Sequence, residues 1–153
     1  MRKGIFSVEI NVRAEAIKLF NETWDLIDLK ERNESEKALM LLKTHTSRYL
    51  WGLVGEPVNF SRGDWQISRC YALLNMGEAA LMYGESSLKP ALENNFGAMD
   101  KTFGYEAVAR AHALLGNKED AAAYKKKGLE AAATIEKEGD RKYAEGELNS
   151  IEI

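Results

Sequence analysis

Part of this chain repeats itself. Residues Trp65–Lys89 align with Glu106–Glu130 without a gap, 41 positions later, and eight of the 25 aligned positions are identical. The identical pairs are Arg69/Arg110, Ala72/Ala113, Leu73/Leu114, Leu74/Leu115, Glu78/Glu119, Ala80/Ala121, Tyr83/Tyr124 and Leu88/Leu129. Average residue usage would give roughly one or two. One helical hairpin cannot bury its own apolar face, so a period of this size implies hairpins stacked on one another. The expected fold is therefore all-α: antiparallel helical hairpins in a short right-handed solenoid of about six helices, closed by a C-terminal capping helix.

The remaining spacings fill in that frame as a single domain over 1–153, with hairpins at about 11–54, 61–94 and 100–137. Apolar residues recur at helical spacing from Asn11 to Arg32, including Ala14, Ile17, Phe20, Trp24 and Ile27. Asn33 or Ser35 is placed to cap a second helix running from Glu36 to Val54. Gly55-Glu56-Pro57-Val58-Asn59 reads as a stop, and its last three residues as a loop across the mouth of a groove. A third helix from Ser61 or Asp64 ends at Leu74, with Asn75 in a left-handed position that Gly116 holds in the second copy. Helix four, Gly77 to Asn94, contains Pro90, which should disturb its last turn. Asp100 or Thr102 is placed to cap helix five, which ends at Leu115. Helix six spans Lys118 to Lys137, and a cap spans Arg141 to Asn149. Residues 1 to 8 read as an extended arm.

The repeated unit resembles the tetratricopeptide repeat (TPR). Leu74-Asn75-Met76-Gly77-Glu78-Ala79-Ala80-Leu81 and Leu115-Gly116-Asn117-Lys118-Glu119-Asp120-Ala121 match that family's inter-helix stretch. Tyr71 falls on its first-helix Tyr, and Ala80 and Ala121 on its small second-helix position. Trp65 stands one place past the family's Trp, and the period exceeds the usual 34. The likeness covers Ser61 to Glu130 well and the first hairpin weakly. The block His45 to Tyr71 is also similar to one in short bacterial TPR-like proteins, a likeness that implies no activity.

In that family the first helix of each hairpin lines a concave groove. Carried over position by position, the resemblance implies ligand contacts at Arg62, Trp65, Gln66 and Arg69, and at Phe103, Glu106, Ala107 and Arg110. The first four also stand at i, i+3, i+4 and i+7, one face of a helix. Two arginines flanking a Trp and a Gln suit a carboxylate, with Arg as a bidentate fork and Trp as an apolar wall. Arg110 can add a third cation, with Glu106 as its partner. The alternative is that these arginines pair with glutamates on neighbouring helices while Trp65 packs between hairpins.

A second cluster is His45, Arg48, Tyr49 and Gly52, on one face of helix two. A histidine beside Arg and Tyr can act as a general acid or base, although no local carboxylate orients it; Asn59 and Asp64 are nearest in sequence. Phe20, Trp24 and Ile27 read as core of the first hairpin. Two histidines and one cysteine make no zinc set, and the scattered glycines form no phosphate loop, so neither metal nor cofactor is expected. Cys70, on a core-facing position without a neighbouring base, reads as inert. Lys125-Lys126-Lys127 reads as a solvated helix face.

A net charge of -3 gives no basic field for nucleic acid. One cysteine allows no internal disulfide and fits a reducing cytoplasm. The start MRKGIFSVEINVRAE carries charges where a signal peptide needs an apolar run, and no stretch is long and apolar enough for a membrane span. The reading that follows is a cytoplasmic, non-enzymatic binding module whose groove takes a peptide, a protein C-terminus or a small anion. The alternatives are a small hydrolase or transferase using His45, and a structural homo-oligomer. Three hairpins are near the lower limit for a stable array, so the free side of an end hairpin predicts a homodimer.

Overall fold

The computed structural model of the chain describes residues 11–153; the arm expected over residues 1–8 lies outside them. Among the described residues there are seven α-helices and no strand. They are α1 (Val12–Ile27), α2 (Glu34–Val54), α3 (Pro57–Leu73), α4 (Gly77–Glu93), α5 (Ala98–Leu114), α6 (Lys118–Ala132) and α7 (Glu138–Asn149). None is long and apolar enough to cross a membrane.

The sequence repeat is a structural repeat. Helices α3 and α5 begin and end 41 residues apart, and so do the starts of α4 and α6. Asn75 (φ 62°) and Gly116 (φ 78°) both adopt the expected left-handed conformation between paired helices. Gly63 and Gly104 stand 41 positions apart, each where a neighbouring helix comes close. A Cβ on Gly104 would lie 3.0 Å from the Leu88 Cα. Tyr71 stacks on Tyr83 at 5.8 Å, and the equivalent pair His112 and Tyr124 stacks at 5.6 Å. Ala80 and Ala121, the small positions of the repeat, are both fully buried.

Helices α1, α3 and α5 each pair with the even-numbered helix that follows. The odd helices also meet one another, α1 on α3, α3 on α5 and α5 on α7, whereas the backbones of α2, α4 and α6 do not. The stack is therefore tighter on the odd side and curves toward it, so α1, α3, α5 and α7 line a concave face.

Several boundaries differ from expectation, each for a local reason. Helix α1 ends at Ile27, not Arg32, because the Arg32 guanidinium turns back to cap the carbonyls of Leu26, Ile27 and Leu29 at 3.0, 3.2 and 2.8 Å. Asn33 rather than Ser35 caps α2, in a box with Glu36: Asn33 Oδ1 accepts from Glu36 N at 2.8 Å, and Glu36 Oε1 from Asn33 N at 3.0 Å. Pro57-Val58-Asn59 is no loop over a groove mouth. Pro57 is the first residue of α3, where its missing N–H costs nothing, and Asn59 Oδ1 accepts from Glu56 N at 2.9 Å. Helix α5 starts at Ala98 with Gly97 as its cap, so neither Asp100 nor Thr102 fills that role. Helix α4 runs through Pro90 to Glu93. Helix α6 stops at Ala132, and Arg141 donates to the Ile135 carbonyl at 2.9 Å across the turn into α7, which starts at Glu138.

Candidate functional site

The concave face holds a cavity of about 390 Å³ that opens to solvent. Its walls come from α1 (Phe20, Trp24), α3 (Ser61, Arg62, Trp65), α4 (Ser87), α5 (Met99, Asp100, Phe103) and α7 (Tyr143). Five rings run across it in sequence. Their centroids are 6.5 Å apart for Phe20–Trp24, 5.5 Å for Trp24–Trp65, 5.4 Å for Trp65–Phe103 and 6.0 Å for Phe103–Tyr143. Phe20–Trp24 and Trp65–Phe103 meet edge-on, an arrangement that aromatic quadrupoles prefer.

A second recess of about 170 Å³ adjoins the first and shares Phe20 and Arg62 with it; Ile17, Trp51, Asn59 and Gly63 complete it. Farther along α3 and α5, Arg69, Ala72, Leu73, Arg110 and Leu114 line a third, of about 130 Å³.

Charge on this face is largely internally paired. Arg62 holds Asp100 in a bidentate pair, Nε to Oδ1 at 2.8 Å and NH2 to Oδ2 at 3.0 Å. That hydrogen bond raises the Arg62 pKa. The Arg62 side chain is still 58% exposed, so the pair sits at the cavity mouth. Behind Trp65 lies Glu106, 1% exposed. Its carboxylate accepts from Trp65 Nε1 at 3.0 Å, from Arg69 NH1 at 3.4 Å and from Arg110 Nε. Arg69 also donates to Glu147 Oε2 at 3.0 Å. Arg110 NH2 reaches the Glu147 carbonyl at 3.0 Å and Ser150 Oγ at 3.1 Å. Two cations and two anions thus balance in a network that ties α7 to α3 and α5. Arg69 Nε is a buried donor with no partner among the described residues.

Of the residues expected in the groove, Arg62, Trp65 and Phe103 line the main cavity, and Arg69 and Arg110 the third recess. Gln66 and Ala107 are buried. Gln66 faces the first hairpin: its Oε1 accepts from Thr44 Oγ1 at 3.0 Å and its Nε2 donates to the Phe20 carbonyl at 2.9 Å. Phe20 and Trp24, read from sequence as core, are half-buried walls of the cavity. Met99, Asp100 and Tyr143 join them unforeseen.

The second cluster lies elsewhere. His45 Nε2 is 2.8 Å from the Tyr71 hydroxyl, and its ring packs edge-on against Tyr71 and Tyr83. Desolvation lowers the His45 pKa, with Asp64 partly offsetting it. Arg48 donates to Asp64 at 2.9 Å and lies over the Phe60 ring. Tyr49 points outward from α2. None of these residues is in the wall of the concave cavity. Cys70 is fully buried, and burial pushes its thiol up to about 12.

Comparison with known proteins gives no match: no family model, no curated protein and no solved structure corresponds to this chain.

Proposed function

We propose that the chain is a TPR-like interaction module, and that its concave face binds an extended peptide with a large apolar side chain seated among Phe20, Trp24, Trp65, Phe103 and Tyr143. The observation that carries this reading is the solvent-open wall of five rings contributed by four helices. Aromatic anchors filling well-shaped pockets dominate the binding energy at most interfaces. A cavity of about 390 Å³ lies within the common range for ligand sites.

Two further features favour a peptide over a compact small molecule. The adjoining recess of about 170 Å³ shares Phe20 and Arg62 with the main one, so neighbouring side chains of one extended chain can enter both. Arg62 at the mouth keeps donor capacity beyond Asp100 and is placed for a ligand carbonyl or carboxylate. The anionic part of the recognition is smaller than the arginine count implies. Arg69 and Arg110 are already committed to Glu106 and Glu147.

The test is a capped peptide panel, Ac-Gly-X-Gly-NH2 with X as Phe, Leu, Lys, Asp or Ala, titrated by NMR. Preference for Phe and Leu, weakened about tenfold in Tyr143→Ala, supports the reading, a loss in the range expected of an aromatic contact. Equal response to all five peptides, or none, refutes it.

A further inference from the structure

The outer face of α2 carries an apolar stripe that nothing in the described chain covers. Leu39, Leu42, Thr46, Tyr49 and Leu53 stand at alternating spacings of three and four residues, the seam of a coiled coil. Leu42 is 65% exposed, Tyr49 67% and Leu53 59%. At 3.6 residues per turn the five fall within an arc of about 80°. That arc lies opposite Met40, Thr44, Ser47 and Trp51, the buried residues of the same helix. A surface helix is expected to turn charge outward. Here no Asp, Glu, Lys or Arg occupies the stripe; Ala38, Leu50, Gly52 and Val54 beside it are uncharged, while Lys43 flanks it.

We infer that this face is the interface of a two-fold homodimer. The stripe matches itself. Leu39 and Leu53 stand seven residues either side of Thr46, and Leu42 and Tyr49 stand four before and three after it. A two-fold axis beside Thr46 sets Leu39 against Leu53 and Leu42 against Tyr49 of an antiparallel second copy, the isologous arrangement of a closed dimer. Antiparallel pairing also opposes the two helix dipoles favourably.

Area agrees with a reversible association. The exposed fractions of the large apolar residues on this face amount to roughly 500 Å² at typical side-chain areas, against about 600 Å² per partner for the weaker specific interfaces. A membrane surface fits poorly, because an interfacial helix needs free cations along its flanks. The flanking Lys43 is held by Glu22 at 3.2 Å, and Arg48, farther round α2, by Asp64 at 2.9 Å. None of the stripe residues lines the concave cavity or its adjoining recess, so dimerisation leaves both grooves open and makes the assembly bivalent.

Sedimentation equilibrium on the full chain at about 0.3 mM, high enough to populate a weak association by mass action, tests the inference. The expected mass is twice the 17.2 kDa of the chain, returning to the single-chain value in Leu42→Glu/Tyr49→Glu with unchanged far-UV circular dichroism. Under mild oxidation Thr46→Cys should form a disulfide-linked dimer, while Lys142→Cys on α7 should not. A wild-type mass of one chain at that concentration overturns the inference. So does a dimer that survives the double substitution, or a Thr46→Cys chain that crosslinks no better than Lys142→Cys.

Discussion

The Trp65 indole nitrogen donates to the Glu106 carboxylate at 3.0 Å, and the two residues stand 41 positions apart, one repeat length. Equivalent places in successive hairpins thus hold a donor and an acceptor that meet across the α3–α5 seam. The identical pair Arg69 and Arg110 converges on the same carboxylate. Glu106→Ala would leave two guanidinium groups and an indole N–H without their buried acceptor. The expected loss is about 3–5 kcal/mol, as for other broken buried pairs. Trp65→Phe, which leaves Glu106 both arginines, should lose only about 1.5–3 kcal/mol. Urea denaturation checks the order, and equal losses would contradict the network.

His45 gives a pH dependence. Desolvation lowers its pKa from the ordinary 6.5, so between the two values the unfolded chain binds the extra proton. Its contribution to stability is complete above about 6.5 and declines as pH falls through the folded-state pKa. The wild-type urea midpoint should drop more between pH 7.5 and pH 5 than that of His45→Gln. Identical drops would mean that His45 titrates alike in both states.

Cys70 should be silent in the native protein. Its thiol is buried and pushed up to about 12, and the thiolate is the reactive form. Ellman's reagent at pH 8 should react only upon unfolding, at the rate of global opening. Rapid stoichiometric reaction with the folded chain would show that the α2–α3 seam is loose.

Two helical glycines should respond oppositely to alanine. At Gly104 the new Cβ would crowd the Leu88 backbone at 3.0 Å, so Gly104→Ala should cost about 1–3 kcal/mol despite better helix propensity. At Gly146, within α7, a Cβ meets nothing within 4 Å, and Gly146→Ala should gain about 0.5–1 kcal/mol. Thermal melts of the two variants read the signs directly.

The fold was legible because the repeat carries its own turns: Asn75 and Gly116 mark the two hairpins before any packing is considered. The start of α3 was hidden because proline ends one helix and begins the next equally well, and only Gly55 and Glu56 separate α2 from Pro57. Site residues were legible only along one strip. Arg62, Trp65 and Phe103 follow the exposed edge of α3 and α5, but α3 is packed on both sides, so Gln66, one residue past Trp65, already faces Thr44. Phe20, Trp24 and Tyr143 come from hairpin and cap segments outside the repeat. There spacing separates apolar from polar faces but not a core wall from a groove wall.

The most direct measurement is the ¹H–¹⁵N spectrum of the indoles during titration with Ac-Gly-Phe-Gly-NH2. The chain has three tryptophans: Trp24 and Trp65 line the main concave cavity, and Trp51 only the adjoining recess. If the concave face is the binding groove, the Trp24 and Trp65 signals move together and saturably, and more than that of Trp51. If Trp51 alone moves, or no indole does at saturating peptide, the groove is not the binding site.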